Sequence, residues 1–172
     1  MLRSILFVTS AAIAALGLAA AAPVIGGTVS YQATNTNFSS PVSGSGTVGA
    51  GNDIVVVSAL WDVDAGADRD RLIYSTQGTF GGIWDVSGQS TMDFTLPLPA
   101  GETILNASVV SSDFANTSVS WLGNVLTVVW DEGTHTDVGY VIDIDYGAVP
   151  VPAAALLFAP AALLAARRRR AA

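Results

Sequence analysis

The stretch Trp121-Leu122-Gly123-Asn124-Val125-Leu126-Thr127-Val128-Val129-Trp130 decides the fold class. Gly-Asn between two apolar runs suits a tight hairpin, because glycine enters positive φ without the clash a Cβ would bring. Beyond the turn, Leu126, Val128 and Trp130 alternate with Val125, Thr127 and Val129. A period of two sends one set of side chains into a core and the other outward, which is the pattern of a strand covered on one face. The run Val141-Ile142-Asp143-Ile144-Asp145 repeats it with acid on the outer positions.

Working outward, short runs rich in Val, Ile, Thr, Tyr and Trp recur at 28–34, 42–48, 54–60, 71–77, 82–86, 91–96, 104–111, 118–122, 125–130 and 140–146, broken by Gly, Asn, Asp and Ser. No helical period of useful length interrupts them. The spacing predicts one all-β domain over 22–147, an antiparallel β-sandwich of jelly-roll-like form. The Ser-, Gly- and Asn-rich stretch 35–52 reads as its loop-rich part.

The chain has 172 residues, 51% of them hydrophobic, and no cysteine. Its positive mean hydropathy of +0.50 is inflated by two apolar terminal segments. All fourteen acids lie between Asp53 and Asp145, where the only basic residues are Arg69 and Arg71. That balance excludes nucleic acid as a partner, since phosphate neutralisation needs a basic face. The lack of thiols rules out disulfides, a cysteine nucleophile and thiolate metal sites.

Residues 1–21 have the layout of a secretory signal peptide: Arg3 in a short positive start, an apolar run over 5–18, and alanines at 19–22. Cleavage by signal peptidase is expected after Ala20 or Ala21, which keeps Pro23 away from the first mature position. An apolar helix is expected here and a second one in the tail, so that the β-domain is flanked by both.

The tail, 148–172, has three parts: Val149, Pro150, Val151, Pro152 and Ala153; an uncharged Ala/Leu run over 153–166; and Arg167, Arg168, Arg169 and Arg170. Fourteen residues make a helix of roughly 21 Å against a hydrocarbon core of about 30 Å, a short span that the four arginines would stop at the cytoplasmic surface. The prolines hold the linker semi-extended, the form a protease cleft takes. This tripartite segment resembles the C-terminal sorting signal of exosortase substrates, the PEP-CTERM group, in its Val-Pro-Leu-Pro-Ala variant, with Val151 where leucine is usual. The resemblance covers about the last 25 residues. It implies export, anchoring in the inner membrane, recognition of the proline motif by an exosortase-type transpeptidase, and a place at the cell surface or in an extracellular, exopolysaccharide-rich matrix. It implies no reaction catalysed by the chain itself.

Within the domain, Asp62, Asp64, Asp68 and Asp70 surround Gly66 and offer hard oxygens of the kind Ca²⁺ takes from a flexible loop. The spacing is not that of an EF-hand, because Gly66 and Ile73 stand where an Asp or Asn and a glutamate would be needed. The alternative is a solvated acidic hairpin partly neutralised by Arg69 and Arg71. His135, the sole histidine, lies in the polar stretch 131–137, either as part of a general-base or metal pair or as an ordinary turn residue. Trp61, Trp84, Trp121 and Trp130 would form a sugar-stacking platform if exposed, or fill the core if not. No nucleophile elbow is present, and the chain reads as a non-catalytic surface protein or, alternatively, as a calcium- or carbohydrate-binding module.

Overall fold

A computed structural model of the chain describes residues 22–36, 41–56, 59–76, 79–80, 88–132, 135–136 and 138–149. The signal-peptide segment, the tail from Pro150 onward and Trp84 lie outside the described residues. The elements, in chain order, are β1 (Thr28–Asn35), β2 (Val42–Thr47), β3 (Ile54–Val56), β4 (Ala59–Asp62), β5 (Arg71–Thr76), β6 (Thr79–Phe80), β7 (Gln89–Thr95), β8 (Glu102–Ser112), β9 (Ser118–Leu122), β10 (Val125–Asp131), β11 (His135–Thr136) and β12 (Gly139–Ala148). Among the described residues there is no helix.

Two five-stranded antiparallel sheets, in the orders β2-β1-β7-β10-β9 and β3-β4-β5-β12-β8, are joined by a small β6-β11 ribbon. The alternation read in the sequence sets their faces. In β10, Leu126, Val128 and Trp130 are buried and the residues between them half-buried. In β12, Tyr140, Ile142 and Ile144 do the same. Both inner faces feed one core. Trp61 and Tyr74 from one sheet lie 6.4 Å from Phe94 and 6.1 Å from Trp130 of the other, ring centre to ring centre. Trp61 stacks on Tyr74 at 4.7 Å and donates its indole N–H to the Tyr140 hydroxyl at 3.0 Å, which satisfies the polar atoms such aromatics carry inward. Burying each such ring stabilises the fold by roughly 1.5–3 kcal/mol. The arrangement is sandwich-like.

Three sequence expectations change. The run 54–60 is two strands, β3 and β4, paired antiparallel with Ile54 opposite Trp61. No Gly, Pro or Asn marks the turn between them, so the sequence disguises it. The stretch 35–52 is more regular than its composition suggests, because β2 pairs along its whole length with β1. Its glycines serve close approach: the Tyr31 ring lies over Gly44, where a Cβ would sit 2.6 Å from the hydroxyl, and a Cβ at Gly46 would overlap the Asp53 carbonyl oxygen. Finally Ala148, placed in the linker by sequence, is the last residue of β12, opposite Glu102.

The edge strand β8 carries two irregularities against β12, at Leu105 and Val110, neither of which has a partner in the register. Both are exposed. Bulges of this kind twist an edge and discourage pairing with a further strand.

Backbone hydrogen bonds separate the two ends of the molecule. At one end, Val24 N–H donates to Pro97, Gly26 to Val48, Leu96 to Asn124, Ile104 to Gly123 and Val149 to Gly101. These tie residues 22–27, the 48–53 loop, residues 96–101, the β9–β10 turn and the start of the tail into one group, which is here called the exit end. At the other, Thr36 donates to Gln89, Thr76 to Val138, Asp113 to Gly139, Asp131 to Ala115 and Glu132 to Gly88. This is the far end.

Candidate functional site

The β3–β4 hairpin builds the most concentrated chemistry on the exit end. Continuing its register by one residue sets Asp53 opposite Asp62, and Asp53 N–H donates to the Trp61 carbonyl at 2.8 Å. Asp64 follows two residues later. One carboxylate oxygen from each of Asp53, Asp62 and Asp64 falls within 4.8 Å of the others.

Asp53 is buried and works as a clip: one oxygen accepts Gly49 N–H at 2.8 Å and the other Val63 N–H at 2.9 Å. It joins the 48–53 loop to the β4–β5 loop. Asp62 accepts the Asp64 N–H at 3.3 Å, a local turn bond. Removal from water, opposed by those bonds, raises the Asp53 carboxyl above its ordinary value. Asp62 is pushed up to about 6, first by burial and then by the neighbouring carboxylates of Asp64 and Asp53. Close like charges disfavour joint ionisation, so binding a proton or a cation would relieve the group.

Of the four acids read around Gly66, Asp62 and Asp64 thus lie together with Asp53. Asp68 is exposed on the loop. The Asp70 carboxylate tucks beneath Gly66, where a Cβ would overlap its Oδ1, and the Asp70 carbonyl accepts Ile144 N–H at 2.7 Å. The loop's cations are engaged elsewhere: Arg69 Nη1 donates to the Pro23 carbonyl at 2.6 Å, and Arg71 pairs with Asp143 at 2.5 Å. Nearby, the buried Tyr146 hydroxyl has no hydrogen-bond partner among the described residues; burial and the charges of Asp70 and Asp64 raise it well above its ordinary value. Asp53 was missed in the sequence because it lies nine residues before Asp62, and only a hairpin between them brings the two together.

Of the three described tryptophans, two are core residues. Trp61 and Trp130 are fully buried, and Trp121 is 36% exposed beside the β9–β10 turn. An open depression of about 520 Å³ crosses β2, β1, β7 and β10, lined by Ser30, Gln32, Ser43, Asp93 and Thr95 among others, with Asp93 accepting the Thr127 hydroxyl. His135 lies in β11 opposite Phe80. Of the tail's motif, Val149 is described: it is half exposed and its N–H donates to the Gly101 carbonyl at 2.8 Å. The rest of the motif, Pro150, Val151, Pro152 and Ala153, and Arg167, Arg168, Arg169 and Arg170 lie outside the described residues. Among the described residues no helix is long and apolar enough to cross a membrane.

Comparison of the chain with protein-family models, with curated proteins and with solved structures gives no match.

Proposed function

We propose that this chain is an exported, non-catalytic protein of the cell envelope or extracellular matrix: a jelly-roll-like β-sandwich flanked by a helical signal peptide and a helical sorting tail. The observation that carries the reading is the order of the tail, with Val149 to Ala153, an uncharged run and four arginines. The position of Val149 supports it. Val149, the first residue of the motif, still bonds to the domain through Gly101, and among the described residues it is the last to do so. Signal peptidase and an exosortase-type transpeptidase act on the chain in turn, the inner membrane holds it between those steps, and exopolysaccharide surrounds the product. Intact mass of the protein recovered from its host's surface and medium tests this. A chain ending near Pro152 or Ala153 is expected; one that keeps Arg167 to Arg170 would mean a permanent anchor and no sorting.

A second reading is favoured by one observation, the convergence of Asp53, Asp62 and Asp64. It takes the exit end as a Ca²⁺ site, the carboxylates supplying hard oxygens and water the remainder of the coordination shell. Millimolar CaCl₂ should raise the melting temperature of the full chain, and Asp53→Asn should abolish the rise. Equal melting with and without calcium ends this reading. For the carbohydrate-binding alternative, Trp61 and Trp130 are core residues, and Trp121 and the polar depression over β1, β2 and β7 are exposed.

A further inference from the structure

We infer that the exit end is a bilayer-facing surface, which the domain lays against the lipid headgroups while its tail is inserted. The inference rests on the membrane reading of the tail given above and adds to it an orientation and a set of contact residues. Both chain ends leave from this end with almost no slack. Ala22 is buried in the fold, and four residues earlier the apolar run ends at Leu18. Val149 is bonded to Gly101, and four residues later the second apolar run begins at Ala153. Four residues reach at most about 14 Å when fully extended. The signal segment, until signal peptidase cuts it, and the inserted tail afterwards therefore hold the same end of the sandwich within about 14 Å of the membrane.

That end gathers exposed apolar side chains beside the tether. Val24 (43% exposed), Ile25, Trp121, Leu122 (84%) and Val149 all lie on it, in segments that the backbone bonds join: residues 24–26 to Pro97 and Val48, Leu96 to Asn124, and Gly123 to Ile104. One tryptophan among aliphatic side chains at a chain exit is the composition that settles at the headgroup level, ring half in hydrocarbon and N–H in the polar layer. Single exposed apolar residues are ordinary; five on one end, beside both tether points, need a cover. The occupant is the bilayer surface, because the length of free chain at each tether leaves room for little else. The acidic loop 62–70 shares this end and repels anionic lipid, so zwitterionic lipid is the cleaner probe.

The chain has no cysteine, so single cysteines report one position each. Leu122→Cys and Ile25→Cys on the exit end, and Val110→Cys toward the far end, are exposed places on the full-length chain. Each variant is labelled with a small fluorophore, incorporated into phosphatidylcholine vesicles, floated, and quenched with lipids carrying a nitroxide at the headgroup. Quenching at positions 122 and 25 should exceed that at 110 by roughly threefold or more. Chain that floats but is quenched equally at all three positions overturns the orientation while leaving the tail's insertion standing. Failure to float overturns the membrane reading and the orientation with it. The two exit-end probes sit on separate segments, so one that misfolds leaves the other to decide.

Discussion

The two ends of the sandwich are both acidic and use their acids in opposite ways. At the far end every carboxylate with a resolved bond meets a donor: Asp113 accepts Gly139 N–H, Asp131 accepts the Asn116 and Gln89 amides, and Glu132 accepts the Ser90 hydroxyl, itself bonded by Asn35. At the exit end Asp53 and Asp62 also accept backbone N–H groups, but one oxygen from each of Asp53, Asp62 and Asp64 lies within 4.8 Å of the others. The first arrangement stabilises loops at any pH where the carboxylates are charged. The second is tense when fully charged and relaxes on binding a proton or a cation. The difference between the two ends lies in whether the carboxylates also face one another.

The largest effects should come from the glycines that hold the two ends in shape. A Cβ at Gly46 would overlap the Asp53 carbonyl, and one at Gly139 the Tyr74 carbonyl; in both cases the obstacle is backbone. Gly46→Ala and Gly139→Ala should each lose on the order of 3 kcal/mol in denaturant unfolding. Only Gly46→Ala should also disturb calcium-dependent melting, because only it displaces Asp53. If both variants alter it equally, the ends are not separable.

The next effect tests the tension directly. The Asp62 carboxyl titrates at about 6 in the fold against an ordinary 3.8. A raised value means that its favourable contribution is complete below about pH 4 and is lost as pH climbs through 6. Burial is partial, so the loss is discounted to about 1–2 kcal/mol. Without divalent cations the chain should melt lower at pH 7.5 than at pH 4.5 from this source, and Asp62→Asn should flatten that slope and raise stability at neutral pH. A slope unchanged in Asp62→Asn would remove Asp62 as its origin.

At the far end, Ser90→Ala takes away a buried hydroxyl that links Asn35 to Glu132. A loss of about 1–2 kcal/mol is expected, with the pH slope above left as it was. Smallest of all, Arg71→Ala breaks an exposed pair with Asp143 in which both side chains are nearly half exposed. It should leave the unfolding midpoint almost unchanged, and the effect should shrink further at high salt. A larger, salt-resistant cost would show that the pair does more than join two strands.

Much of this was legible in the residues. Alternation in 125–130 and 141–145 is a local property of the chain, so β10, β12 and their buried faces followed from it, as did the Gly123-Asn124 hairpin. The strand 118–122 agrees at both ends. The break between β3 and β4 was hidden because Val57 and Ser58 supply no Gly, Pro, Asn or Asp, and with it was hidden the pairing that recruits Asp53. Trp61 and Trp130 illustrate the same limit: their indoles suit a binding surface or a core equally well, and only the opposite sheet decides.

The sequence by itself determined the all-β character, the acidic middle without a basic face or a thiol, and the layout of two apolar ends around it, because periodicity, charge and composition are carried by neighbours along the chain. The tertiary structure decided which carboxylates meet, which tryptophans are covered, and that residues 22 and 149, 127 positions apart, leave from one end. Those depend on antiparallel pairing between distant segments, whose register is set by contacts no local stretch contains.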